Sequence, residues 1–359
     1  MEIIQHIYQF KLPMTYEPRV ESAPPSGLFK SQRTDPPVRM DSVSRQAGSN
    51  SFVNVYFIEG SQDNLLIDTG LNTPESYDTL AGELKRYGFT IKDIKNILVT
   101  HSHFDHSGQA GKLKEICAAQ TIMSAREVAV FNQQYVNKGI RSETALDILK
   151  SAGIPPSEAA AYHNVFRTAI DLVSIFTPDR IVKNGDVIDI DPFKFTVMET
   201  PGHSSGHICL YEPNRKFLFT GDLILPEISP NIGFYPGQGS NPLGEYFKSL
   251  EEVYKLEVNL AFPGHGPAFS GLRQITEAIV HHQENRNRAI LKALEKSPKS
   301  AYQVAQEIPW NDSGESNFNA MNIFDRRLAL GEATSHLEFL VVEGQVRKLV
   351  ENGINMYYG

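Results

Sequence analysis

Four side chains that can bind a metal ion lie within six residues of one another: His101, His103, Asp105 and His106. Imidazole nitrogens and carboxylate oxygens are the ligands that zinc and similar cations use in proteins. The apolar, β-branched run at 94–100 predicts a buried strand, and the apolar spacing over 108–118 predicts a helix. Because alternate residues of an extended segment point the same way, His101 and His103 could hold one ion. Asp105 and His106 could face a second ion where the chain bends into the helix.

Three more candidate ligands follow strand-like segments further along the chain: His203, Asp222 and His265. Each stands in a turn that contains glycine or proline. Loops at strand ends, supported by a rigid sheet, are where many α/β proteins place their functional side chains. The chain therefore offers five histidines and two aspartates, which is enough for two ions with an open coordination position.

This arrangement of motifs resembles the metallo-β-lactamase superfamily, with a core similar to that of glyoxalase II. The family pattern is H-x-H-x-D-H, then a histidine, an aspartate and a last histidine, all preceded by an Asp-Thr-Gly turn, which is Asp68-Thr69-Gly70 here. The resemblance implies a first metal held by His101, His103 and His203, and a second held by Asp105, His106 and His265. It implies that Asp222 bridges the two ions and that Asp68 orients ligands.

The resemblance also implies an α/β fold, the four-layer αββα metallo-β-lactamase sandwich, as a catalytic domain over residues 1–270. A helical insertion at about 125–179 would either decorate this domain or form a wall of the substrate cleft. The order of predicted helices and strands over residues 271–359 indicates a linker helix and a winged-helix-like domain, which is similar to the C-terminal module of the lactamase-β-like subgroup. The proline-rich arm at 13–51 is interpreted as a long loop or a flap over the site.

Composition restricts the partners that we expect. The 359 residues are 41% hydrophobic and carry a net charge of −8, which disfavours nucleic acid as a partner. Arg326 and Arg327 on the last predicted helix could contact phosphates, but the C-terminal domain has no basic surplus, and we favour packing or a homodimer contact there. No apolar stretch is long enough to cross a membrane, and no signal-peptide pattern opens the chain. Two cysteines in apolar contexts, Cys117 and Cys209, fit a cytoplasmic location.

We predict two divalent metal ions, zinc first, with iron or manganese as alternatives. A hydroxide held between them at neutral pH would need no separate protein base. Asp105 and Asp222 are the predicted catalytic carboxylates. The Tyr235 hydroxyl is a candidate donor to a developing oxyanion, although simple aromatic packing is an equal alternative. His207 is expected to be a buried, hydrogen-bonded residue and not an eighth ligand.

The function predicted first is hydrolysis of a small-molecule thioester, ester or lactone. The alternative is an endoribonuclease acting on single-stranded RNA. A di-iron oxidoreductase ranks last, because His103 stands where that branch has a glutamate and no flavodoxin segment is present. A metal-bearing binding protein without activity is disfavoured by the complete ligand set, and β-lactam hydrolysis is disfavoured by the expected cytoplasmic location.

Overall fold

A computed structural model describes residues 1–14, 52–137, 143–164, 168–237, 239–310 and 318–359. Most of the proline-rich arm lies outside these ranges, so the loop and flap interpretations stay predictions. Within the described ranges, no helix is both long and apolar enough to cross a membrane.

The first sheet has seven strands in chain order: β1 (Glu2–Ile4), β2 (Ile7–Pro13), β3 (Phe52–Ile58), β4 (Leu65–Ile67), β5 (Asn96–Leu98), β6 (Gln120–Ser124) and β7 (Arg180–Val182). Pairing is antiparallel from β1 to β4 and parallel from β4 to β7. Parallel neighbours need a crossover connection. Helix α1 (Pro74–Arg86) crosses from β4 to β5, and α2 (Phe104–Ser107) and α3 (Ala110–Cys117) cross from β5 to β6.

The second sheet has five strands: β8 (Val187–Ile190), β9 (Phe193–Glu199), β10 (Ile208–Glu212), β11 (Phe217–Gly221) and β12 (Leu260–Pro263). β10 is antiparallel to both β9 and β11, so β9 and β11 run in the same direction. β11 and β12 are parallel neighbours, and α7 (Pro242–Tyr254) connects them. The strands β9, β11 and β12 therefore end at the same edge of this sheet.

Three apolar clusters divide this part of the molecule into layers. The middle cluster joins the facing sides of the two sheets and includes Ile67, Leu98, Phe195, Phe219 and Phe262. A second cluster covers the other face of the first sheet with residues of α1 and α3, and a third covers the second sheet with residues of α7 and α8 (Leu272–Leu294). The mixed α/β fold predicted from the sequence is confirmed, and its packing is helix, sheet, sheet, helix.

The insertion contains α4 (Ala125–Phe131), a π-helical segment (Asn132–Val136), α5 (Glu143–Ser151), α6 (Pro156–Asn164) and a 3-10 helix (Thr168–Leu172). The apolar spacing over 158–176 predicts one continuous helix, and the structure contradicts this prediction at 168–176. The backbone there bonds to the loops of the first sheet: Asn72 N donates to Leu172 O at 2.9 Å, and Ser174 N donates to Gly108 O at 2.7 Å. These two hydrogen bonds to the loops of the first sheet take the place of hydrogen bonds within a helix.

After α8 come β13 (Lys299–Ser300), α9 (Ala301–Glu307), a 3-10 helix (Phe318–Ala320), α10 (Ile323–Val342), β14 (Arg347–Glu351) and β15 (Ile354–Tyr358). The three strands form a sheet in the order β13-β15-β14. The winged-helix assignment of this module stays a prediction. Its core is shared with the insertion, because Leu149 of α5 and Tyr162 of α6 belong to the same apolar cluster as Leu330 and Leu337 of α10.

Candidate metal centre

The ligand residues stand where strands end. Asp68 and His101 follow the parallel neighbours β4 and β5, and Asp222 and His265 follow the parallel neighbours β11 and β12. His203 follows β9, which runs in the same direction as β11. Parallel strands present their carboxyl ends at one edge of a sheet. This topology explains how residues more than 160 positions apart in the sequence reach one site.

Three histidines form a first group of candidate ligands. Nδ1 of His103 lies 3.0 Å from Nε2 of His101 and 2.9 Å from Nε2 of His203. His101 is fully buried, and His203 is almost so. The three nitrogens converge closely enough to share one cation.

Asp105, His106 and His265 form a second group. Oδ2 of Asp105 lies 3.3 Å from Nε2 of His265 and 3.6 Å from Nε2 of His106. Asp222 stands between the two groups. Its Oδ1 lies 3.5 Å from Nε2 of His106, and its Oδ2 lies 3.5 Å from Nε2 of His265 and 3.6 Å from Nε2 of His203. The structure therefore brings together all seven ligands predicted from the sequence.

The donor set fits metal ions better than it fits a hydrogen-bonded protein interior. Nε2 of His106 and Oδ1 of Asp222 are buried, and neither makes a hydrogen bond within the described residues. Buried polar atoms nearly always have a partner. The backbone leaves room for these two groups, because a side chain at Gly264 would meet Asp222 Oδ1 at 2.2 Å and the His106 ring at 2.8 Å.

The two groups differ in electrostatics. Burial lowers the pKa of His101 well below its usual value, that of His103 to about 4 and that of His203 to about 3. These rings are therefore neutral at physiological pH, as a metal ligand must be.

The second group is surrounded by carboxylates. Burial opposes the charge on His106 and His265, but Asp222 and Asp105 outweigh it. They raise the pKa of His106 well above its usual value and that of His265 to about 10. Burial likewise opposes the charge on Asp105, yet the imidazoles of His106 and His265 lower the pKa of Asp105 to about 2. This cluster of carboxylates favours a positive charge, which a divalent cation would supply.

Hydrogen bonds from the Nδ1 atoms orient three imidazoles so that their Nε2 atoms point to the candidate metal centre. His106 Nδ1 donates to Asp68 Oδ2 at 2.8 Å, His203 Nδ1 to the Asn231 carbonyl at 2.9 Å, and His265 Nδ1 to the Phe52 carbonyl at 3.0 Å. These acceptors favour a proton on Nδ1, so that Nε2 is the nitrogen that could bind a cation. Asp68 was expected from the sequence, whereas the two carbonyls carry no sequence signal.

His207 occupies a supporting position. Its Nε2 accepts from the backbone N–H of Asp222 at 3.1 Å, and its Nδ1 lies 2.8 Å from the Thr200 hydroxyl. Burial lowers its pKa to about 3. The neutral ring thus fixes the backbone of Asp222. Cys209 is also buried nearby, and burial raises the pKa of its thiol to about 12, which disfavours the nucleophilic thiolate at neutral pH.

Sequence reasoning missed Glu127. Its fully buried carboxylate accepts hydrogen bonds from Ser102 N at 2.6 Å, the Ser204 hydroxyl at 2.7 Å and Gly206 N at 2.9 Å. It therefore ties together the two loops that carry the first group of ligands. The signal available was the S-x-x-E pattern at the start of α4, which suggests a helix-capping box. Ser124 does cap the N–H of Glu127, but the glutamate side chain turns to the ligand loops instead.

The structure places Tyr235 beside the C-terminal module. Its hydroxyl donates to Asn231 Oδ1 at 3.1 Å, and the Arg327 guanidinium lies 4.8 Å from its ring centroid. Burial raises its pKa to about 12. Its predicted catalytic role stays a prediction. Arg326 and Arg327 lie on α10, outside the ligand loops, and their contact with phosphates stays a prediction. Arg327 is buried against the loop that follows Asp222, and Arg326 Nη1 lies 3.9 Å from the Glu158 carboxylate.

A family model described as the metallo-beta-lactamase superfamily matches residues 48–265. The probable metallo-hydrolase YqjP of Bacillus subtilis is 27% identical over 319 residues, which cover 85% of this chain and 92% of that protein. The acyl-coenzyme A thioesterase MBLAC2 of Bos taurus is 28% identical over 63% of this chain and 77% of its own length. The crystal structure of metallo-beta-lactamase family protein TTHA1429 from Thermus thermophilus superposes with a TM-score of 0.79 at 24% identity, over 99% of both chains. Because the family model matches more than half of the chain, over residues 48–265, the chain belongs to the metallo-β-lactamase superfamily.

Proposed function

We propose that the protein is a dinuclear metal-dependent hydrolase of a small-molecule thioester, with esters and lactones as related substrates. The observation that carries the proposal is the position of Asp222. One of its oxygens faces His106 of the second group, and the other faces His203 of the first and His265 of the second. A carboxylate between two sets of imidazole and carboxylate ligands is suited to bridging two ions.

When bound, two divalent ions would supply the nucleophile by lowering the pKa of a water to about 7, and would polarise the scissile carbonyl. His101, His103 and His203 would hold the first ion, and Asp105, His106 and His265 would hold the second. Asp222 would fix the separation between them. Asp68, Asn231 and Phe52 hold the imidazoles in the orientation that points their Nε2 atoms inward. No protein nucleophile is required, in keeping with the inert Cys209.

Nitrogen and carboxylate donors without thiolates suit zinc first, and iron or manganese as alternatives. We propose zinc for both positions. The cytoplasmic location and the homodimer suggested by the sequence remain predictions.

Two findings support a small thioester over RNA. MBLAC2, which this chain matches over most of the length of MBLAC2, carries the name of an acyl-coenzyme A thioesterase. In a winged-helix module that reads nucleic acid, the last helix would be the one to enter a groove. Here every residue of α10 except Val342 is buried or partly buried. Such a helix offers little free surface to a phosphate backbone.

The test combines metal analysis with a substrate comparison. Protein purified without chelator should contain about two ions per chain, because seven ligands are present. It should hydrolyse acyl-thioester reporters at a rate that changes little between low and moderate salt. RNA binding, by contrast, weakens steeply with salt because counterions are released. The control is His103→Ala, which removes the shared nitrogen of the first group. Metal-dependent cleavage of single-stranded RNA without thioester turnover would overturn the choice of substrate. Fewer than two ions per chain would overturn the dinuclear centre.

A further inference from the structure

A chain of polar contacts connects the C-terminal helices to one predicted metal ligand. Nε of Arg286, on α8, lies 3.5 Å from Oε1 of Glu332, on α10. Oε2 of Glu332 accepts a hydrogen bond from Asn231 Nδ2 at 3.1 Å. The backbone carbonyl of Asn231 accepts from His203 Nδ1 at 2.9 Å. Three consecutive interactions therefore lead from the linker helix to the first group of ligands.

The end of this chain at Arg286 is firmly held. Its Nη1 donates to the Pro309 carbonyl at 3.1 Å, and its guanidinium lies 4.4 Å from the ring centroid of Trp310. Arg286 is 8% exposed and Glu332 is 6% exposed. Solvent screens a buried ion pair much less than an exposed one. The Glu332 carboxylate is thus fixed on one side by a charge and presents its other oxygen to Asn231.

Asn231 is held through both ends of its side-chain amide. Oδ1 accepts from the Tyr235 hydroxyl at 3.1 Å, and Nδ2 donates to Leu328 O at 3.3 Å as well as to Glu332. Further along the loop, Phe234 N donates to the Gly331 carbonyl of α10 at 2.9 Å. A side chain at Gly331 would meet the Tyr235 ring at 2.8 Å, so glycine is needed for this close approach. The loop that supplies the carbonyl to His203 is therefore shaped by α10.

The orientation of the second group has a different origin. His106 is oriented by Asp68, after β4, and His265 by the Phe52 carbonyl at the start of β3. Both acceptors belong to the first sheet. A change in α10 should consequently disturb the first ion and leave the second nearly unaffected.

We propose that Glu332 is a positioning residue for the first metal ion, and that the C-terminal module thereby sets the affinity of that site through Asn231 and His203. The inference rests on the proposed function, because it requires that both sites bind metal. The helices of the C-terminal module would then support a ligand of the candidate metal centre, in addition to packing against the rest of the protein.

The experiment exchanges the two partners of the Asn231–Glu332 hydrogen bond in the full-length protein. Asn231→Asp replaces the donor by a carboxylate that faces Glu332, and Glu332→Gln removes the charge that pairs with Arg286. The double variant restores one donor and one acceptor with their places exchanged. Glu338→Gln is the matched control, because Glu338 lies on the same helix but contacts Lys348 and Tyr357, away from the loop.

Metal-free protein is titrated with zinc in competition with a chelator, and with cobalt(II) followed by visible absorption. His203→Ala and His265→Ala identify which binding step belongs to which group. Each single variant should bind the first ion up to about 10-fold more weakly, the lower end of the cost of losing a partner of a ligand, because the Asn231 carbonyl itself is kept; the change at the second ion should be less than about 3-fold. The double variant should recover part of the loss, since Leu328 O and Arg286 still lack their partners, and the control should bind as wild type does.

Single variants that bind both ions as tightly as wild type would overturn the inference. So would an equal loss at both sites, or a double variant that adds the two losses, since either result indicates general loosening of the fold. Wild-type protein that takes up fewer than two ions would overturn the proposed function, and this inference with it.

Discussion

Oδ2 of Asp68 lies 2.8 Å from Nδ1 of His106, and both side chains are buried. The other oxygen of the same carboxylate accepts from Thr100 N at 2.8 Å, one residue before the first histidine of the motif. Asp68 thus connects the end of β4 to the ligand loop that follows β5. Its backbone adopts a φ of +61°, a left-handed conformation that aspartate tolerates better than most residues.

Replacing this carboxylate tests its orienting role. Asp68→Asn should weaken metal binding about 10- to 100-fold and lower turnover with it, because the new amide N–H groups would face donors of Thr100 or His106 that the carboxylate now accepts from. Chelator competition and thioester turnover measure both effects. Asp189→Asn is the control, since Asp189 pairs with Lys194 on the surface. Wild-type affinity in Asp68→Asn would show that His106 does not need this partner.

Asp222→Asn tests the bridge. We expect the variant to keep its secondary structure, to lose about half of its bound metal or more, and to fall at least ~100-fold in turnover, because a neutral amide cannot stabilise two cations. Elemental analysis, far-ultraviolet circular dichroism and kinetics give the three readouts. A fully active variant would contradict the dinuclear centre proposed above.

Tyr235→Phe distinguishes an oxyanion donor from a support for the loop. The Tyr235 hydroxyl donates to Asn231, and its ring packs against Arg327. We therefore expect turnover to fall less than about 10-fold, whereas removing one oxyanion donor typically costs about 100- to 1000-fold. The turnover number under saturating substrate decides the point. A loss in the larger range would restore the catalytic role predicted from the sequence.

Glu127→Gln tests the tie between the two loops of the first group. Burial raises the pKa of Glu127, and hydrogen bonds from Ser102, Ser204 and Gly206 oppose that rise. A glutamine offers one acceptor oxygen to three donors, so at least one buried donor loses its partner at a cost of about 1–3 kcal/mol. Chemical denaturation should show that loss of stability. Glu257→Gln, at an exposed position, is the control, and equal stability of the two variants would contradict the argument.

The spacing of the predicted ligands explains how much of the candidate site could be predicted from the sequence. His101, His103, Asp105 and His106 are close in sequence, and each remaining ligand stands in a recognisable turn after a strand. Such positions depend on local patterns and on the order of motifs, so the sequence could predict that these seven side chains lie together. The α/β fold was implied by the family resemblance that the same motifs carry, and the strands and helices beside them follow local periodicity.

The tertiary structure alone decided what supports the ligands. Backbone carbonyls such as those of Phe52 and Asn231 have no residue type that would identify them, and Glu127 stands in an S-x-x-E pattern that is typical of a helix-capping box. The position of α10 beside the loop after Asp222 could not be predicted from the sequence either. Its many buried residues, Arg327 and Glu332 among them, follow no single apolar stripe, because the helix meets other elements on every side. Long-range packing, which local periodicity does not encode, brought the C-terminal module against the loop after Asp222.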